Sequence, residues 1–73
     1  MLYFKASQPI PGKGDALVLY ECDDDRTVVR QLTYIEATGE IDRVPDPIVK
    51  KLYRPEMLRD SSQEEFQQHW GTD

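Results

Sequence analysis

Thr27-Val28-Val29-Arg30-Gln31-Leu32-Thr33-Tyr34-Ile35-Glu36 decides the fold of this 73-residue chain. The run is dense in β-branched and aromatic residues, which suit a pleated, half-buried surface, and it reads as a strand. Alternation places Val28, Arg30, Leu32 and Tyr34 on one face and Val29, Gln31, Thr33 and Ile35 on the other. The first face is the better core candidate, with Arg30 near an edge or reaching water along its aliphatic stem. Upstream, Ala16 to Cys22 is the most apolar run of the chain, apolar on both faces until Glu21, and reads as a central strand. Asp23-Asp24-Asp25-Arg26 breaks the two strands as a turn. Downstream, Ala37-Thr38-Gly39 reads as a three-residue hairpin loop with Gly39 suited to a left-handed position, and Glu40 to Val44 returns as a shorter strand. The middle of the chain is an antiparallel meander.

The flanks complete the picture. Leu2 to Ala6 is a short strand, and Gln8 to Asp15, with two prolines and two glycines, is a loop. Pro45-Asp46-Pro47 stops the sheet. A short helical turn is expected over 46–54, with Asp46 as N-cap and Pro47 at the first helical position. Ile48, Leu52 and Val49 then face the sheet, Lys50, Lys51 and Arg54 lie outside, and Pro55 ends the turn. Glu56 to Arg59 is a connector whose Met57 and Leu58 tuck under the sheet. Ser61-Ser62 followed by Glu64-Glu65 is a capping box, both acids suit the first turn of a helix, and Gly71 suits its C-terminal cap. The helix expected over 62–70 carries Phe66 and Trp70, four apart, as a narrow apolar stripe. The expected fold is α+β: a single domain with three or four antiparallel strands in the order 1–2–3–4, one face covered by the helix.

Composition bounds the function. There are 9 Lys and Arg against 14 Asp and Glu, a formal charge of −5, with 38% apolar residues and a mean hydropathy of −0.68. The chain is polar but globular, and a domain this small buries only about 60% of its unfolded surface. No apolar run approaches the roughly 20 residues that span a bilayer. The first five residues read better as a strand than as part of a signal, and the single Cys22 fits a cytoplasmic location. Net acidity argues against direct nucleic-acid binding. The charge is uneven, however: residues 21–46 sum to −5, whereas residues 47–60 sum to +2 and form a basic island between acidic stretches.

No constellation of residues carries obvious chemistry. Asp23-Asp24-Asp25 lacks the alternation, the glycine and the twelfth-position Glu of a calcium loop, and reads as a solvated turn. Gly12-Lys13-Gly14-Asp15 lacks the spacing of a phosphate loop and leads into a strand rather than a helix. Cys22 adjoins three acids, which raise a thiol pKa, and His69 has no catalytic partner nearby in sequence; a Cys22–His69 dyad needs a concave pocket that joins them. One Cys and one His make no zinc site, and no cofactor is expected. The basic island Lys50, Lys51, Tyr53, Arg54 and Arg59 reads either as charge balance or as a partner-binding patch anchored by Tyr53. Trp70 either closes the core or anchors a partner.

The order of a strand ending in Tyr20-Glu21, the acidic turn 23–26, Val29-Arg30 opening a long strand, the Gly39-Glu40-Ile41 hairpin, Val44-Pro45, and Ser62-Gln63-Glu64-Glu65-Phe66-Gln67-Gln68-His69-Trp70 resembles a family of small bacterial domains of uncharacterised function. Some members are similar to immunity or regulatory proteins encoded near toxins. The likeness spans residues 18–70 and implies no catalytic residue. The basic stretch Ile48 to Arg59 departs from the acidic linker of that family. Together these readings predict a non-enzymatic protein-interaction module: a small cytosolic regulator, inhibitor or immunity-like protein. The alternative is an acidic nucleic-acid mimic using Asp23, Asp24, Asp25, Glu36, Glu40 and Asp42. The sequence leaves the oligomeric state open, a thin core and exposed strand edges being compatible with a homodimer.

Overall fold

Two runs of alternating apolar residues, joined by tight turns, fold back on one another as β-hairpins because only antiparallel pairing closes over so few residues. In a computed structural model, which describes residues 1–12, 14–48, 50–52 and 55–71, four strands form a continuous meander: β1 (Leu2–Ile10), β2 (Gly14–Cys22), β3 (Val28–Ile35) and β4 (Glu40–Val44). A short fifth strand, β5 (Arg59–Asp60), pairs with the outer edge of β1, giving the order β4-β3-β2-β1-β5. A 3₁₀ turn at Pro55–Met57 precedes β5, and one helix, α1 (Gln63–Trp70), follows it. The fold is α+β with five strands, one more than the meander expected from the sequence. The extra strand is two residues long, too short for periodicity to announce it.

α1 covers one face of the sheet. Ser62 caps it, its hydroxyl accepting the Glu65 N–H at 3.1 Å, and Gly71 ends it at φ 86°. Fully buried Phe66 meets Leu19 and Leu32, with Tyr3, Leu17, Tyr34, Ile41 and Trp70 packed around them. The opposite face carries Ala16, Val18, Cys22, Val28 and Ile35, all buried. Described residues between β4 and β5, strands on opposite edges of the sheet, lie against it: the Lys50 carbonyl accepts the Val28 N–H, and Met57 and Leu58 border Val18 and Tyr20.

Several expectations are corrected. The described residues of the 46–54 segment form no helix. Asp46 precedes a proline and is biased to extended backbone, Ile48 and Val49 are β-branched, and a turn so short has no stability of its own. Four strand spacings of about 4.8 Å separate β4 from β5, and extended chain spans that width more cheaply in residues than a helix rising about 1.5 Å per residue. The predicted loop Gln8–Asp15 is instead mostly strand, since β1 and β2 pair from Leu2↔Cys22 to Ile10↔Gly14. Pro9 fits because the Ser61 N–H donates to the Tyr3 carbonyl at 3.0 Å. That bond turns the odd-numbered residues of β1 away from β2, where a missing N–H breaks no ladder bond. The β3–β4 loop has four residues, 36–39, with the Gly39 N–H bonded to the Ile35 carbonyl at 2.8 Å and Gly39 at φ 76°. A bulge shifts the register so that Glu21 opposes Arg30 but Cys22 opposes Val28. Val28 thereby joins the Cys22 face instead of the face of Leu32. Leu58 is half-buried as expected, whereas Met57 is exposed.

Candidate functional site

The face under α1 gathers a polar cluster that no local sequence pattern announces. Tyr3, Glu21 and Arg30 are neighbours across β1, β2 and β3. Glu21 is buried and accepts from Arg30 Nη2 at 2.8 Å, from Arg30 Nε, and from the Tyr3 hydroxyl at 2.7 Å. The Arg30 guanidinium lies 5.0 Å from the Phe66 ring centre and 4.8 Å from that of Trp70, two rings stacked on each other at 5.5 Å. The arginine hydrogen bonds hold the Glu21 carboxyl below its ordinary range against the opposing cost of burial. Burial first, and the Glu21 bond second, push the Tyr3 phenol up to about 12. Among the described residues no buried polar side-chain atom lacks a partner, as a buried charge requires. The chemistry of the cluster is that of a clasp between sheet and helix. Arg30 was legible as the odd residue on an apolar face; its partners required the register.

α1 has further ties. Lys5 Nζ meets Glu65 at 3.2 Å, the Arg43 side chain donates to the Trp70 carbonyl, and the His69 ring packs on Tyr34 at 5.1 Å. Trp70 therefore closes the core edge beside Arg30. His69 lies on the α1 side and Cys22 on the opposite face, so the sheet separates the two and they form no dyad. Burial, then Asp23 and Glu21, raises the Cys22 thiol to about 11. Among the described residues no group of three or more His, Cys, Asp or Glu side chains could hold a metal ion. None of their helices is long and apolar enough to cross a membrane.

The acidic turn is organised by itself. Asp25 Oδ1 accepts the Thr27 N–H at 3.0 Å, and that hydrogen bond lowers the Asp25 carboxyl. The acids proposed for nucleic-acid mimicry fall into two groups at opposite ends of β3. Asp23–Asp25 precede it and Glu36 and Glu40 flank its other end, while Asp42 is opposite Thr33 within it. An eight-residue strand at about 3.3 Å per residue sets Glu36 and Glu40 roughly 25 Å from the acidic turn.

The basic island is only partly a unit. Lys50 Nζ bonds Asp46 at 2.8 Å and the Pro47 carbonyl at 3.1 Å, and does not reach the acidic turn. Lys51 is exposed. Arg59 sits on β5, donating to Ser7 Oγ at 3.2 Å. Tyr53 and Arg54 lie outside the described residues.

The connector offers other features the sequence reading assigned differently. Ile48, expected to face the sheet, is 98% exposed, because no helix forms to turn it inward. Its loop is nevertheless held: Pro47 is buried and the Val28 N–H donates to the Lys50 carbonyl at 2.8 Å. Further along, Met57 and Leu58 meet Ala6, Ser7, Gln8, Val18 and Tyr20 around a cleft of about 280 Å³. Burial raises the Tyr20 phenol there. No protein-family model, curated protein or solved structure matches the chain, so the resemblance to small bacterial immunity-like domains rests on its sequence motifs alone.

Proposed function

We propose that this protein is a non-enzymatic interaction module, a small regulator, inhibitor or immunity-like protein, that binds a partner protein through the connector between β4 and β5. One observation carries the reading. The connector is pinned to the sheet at Pro47, Lys50 and Leu58, yet it presents Ile48 almost entirely to water, with Lys51 and Met57 exposed beyond it. An apolar side chain on a held loop is a low-entropy anchor for a complementary pocket, and neighbouring cations speed encounter with an acidic partner. Lys51 supplies such a cation beside the connector, and the proposal extends to Tyr53, Arg54 and Arg59 as members of the same basic island of the sequence. Lys50 contributes less, since Asp46 neutralises it.

Crosslinked capture by tagged protein in its native host, repeated with Lys51→Ala/Arg54→Ala/Arg59→Ala, tests the reading. One protein should be enriched by the parent chain, with weaker and less salt-sensitive recovery by the triple variant. Stability should change by no more than about 0.5 kcal/mol per site. Equal recovery by the two chains at all salt concentrations would defeat the assignment.

A further inference from the structure

The same connector carries both halves of a self-complementary contact. One half protrudes. Ile48 stands clear of the surface on a loop fixed by buried Pro47, by the Val28–Lys50 backbone bond, and by Lys50 Nζ folded back on Asp46 and the Pro47 carbonyl. Its burial against another molecule costs little further ordering of the loop. The other half is hollow. The cleft, where Ser7 and Gln8 join Ala6, Val18, Tyr20, Met57 and Leu58, has more apolar than polar lining and room for a branched aliphatic side chain. Met57 at its rim is itself 67% exposed, so the chain leaves two large apolar residues of one connector in water.

The charges repeat the pattern. Lys51 comes three residues after Ile48, and Glu56 precedes Met57, which borders the cleft. Both are exposed, and neither pairs with another described residue. A knob and a cation followed along one connector by an anion and a hole is a pattern a two-fold contact can use, because each copy must supply what the other lacks. We propose that a second copy of this chain docks on the connector, with Ile48 of each copy in the cleft of the other and Lys51 facing Glu56 across the axis. A standard interface of about 800 Å² per partner would use roughly a sixth of the 5142 Å² surface. The second copy and a foreign partner would compete for the same Ile48 and Lys51, so the two readings are tested by separate experiments.

Sedimentation velocity across a concentration series tests it, with far-UV circular dichroism as the folding control. The parent chain should pass from monomer to dimer as concentration rises. Ile48→Asp, at a fully exposed position, should keep its spectrum and stay monomeric throughout. Lys51→Glu should weaken the dimer about tenfold by setting like charges opposite each other, and Lys51→Glu/Glu56→Lys should recover affinity to within about threefold of the parent. A parent chain that stays monomeric at the highest concentration would overturn the proposal. So would an Ile48→Asp dimer as tight as the parent's, or a charge swap that fails to restore affinity. A negative result here leaves the capture experiment on a foreign partner untouched.

Discussion

Glu21 is the residue at which sequence and structure inform each other most. It interrupts an apolar strand, and a carboxylate there is tolerable only because Arg30 and Tyr3 supply hydrogen bonds on either side. Glu21→Gln removes the charge facing Arg30 while keeping the shape, and should cost about 1–3 kcal/mol in urea unfolding. The pH response follows from the direction of the shift. The folded state holds the Glu21 proton less tightly than the unfolded chain, so the contribution is complete above the ordinary value near 4.5. It is lost as pH falls through the lower folded value. Glu65, lowered mainly by its bond from Ser61, acts in the same sense. Tyr3 acts at the other end. Its pKa is raised from 10.0 to about 12, so its share persists below 10 and disappears as pH climbs toward 12. Glu21→Gln should flatten the acid limb of a stability–pH profile and leave a descending alkaline limb, and an unchanged acid limb would remove Glu21 from the account.

At the scale of elements, α1 was the most legible part of the chain. Ser62, Glu65, Phe66, Trp70 and Gly71 each signal the helix from their own positions, and local chemistry of that kind is visible without knowing the fold. β3 and β4 were legible for the same reason. What the sequence obscured depended on distant pairing. Prolines and glycines at 9–14 signal a loop until Pro9 is seen to turn its backbone away from β2. The residues around Ile48 favour a short helix that would turn it inward, and the need to bridge two sheet edges overrides that weak local preference. The cleft around Tyr20 was invisible, since it joins residues of β1, β2 and the connector. Two substitutions separate capping from docking in α1. Ser62→Ala should cost about 1 kcal/mol, whereas Phe66→Ala should cost roughly 3–5 kcal/mol, comparable to the whole stability of so small a domain. Thermal melts should therefore show a lowered midpoint for the first and no cooperative transition for the second.

For the whole molecule, the sheet is a five-stranded surface with two open sides, and both sides carry a proline. Beyond β5 the outward positions of β1 are Ser7 and Pro9. On β4 they are Ile41 and Arg43, with Pro45 next in the alternation. Prolines and charges at such positions deny an incoming strand its full ladder, so association should proceed through side chains of the connector rather than by edge pairing. Pro9→Thr/Pro45→Thr should then form disordered aggregates detectable by light scattering on warming, while the parent chain stays clear. The placement of β5 also has a kinetic meaning. Each turn of the meander joins neighbours in the chain, but Phe4 meets Asp60 only after the intervening chain has been drawn across the sheet. Closing so long a loop costs entropy that no early contact repays. The four-stranded meander should form first and the C-terminal part dock last, so that Glu21, buried beneath α1 in the finished protein, spends the early life of each molecule in contact with water. A ribosome-bound nascent chain, followed by its resistance to protease as it lengthens, should gain full protection only once residue 70 has cleared the exit tunnel.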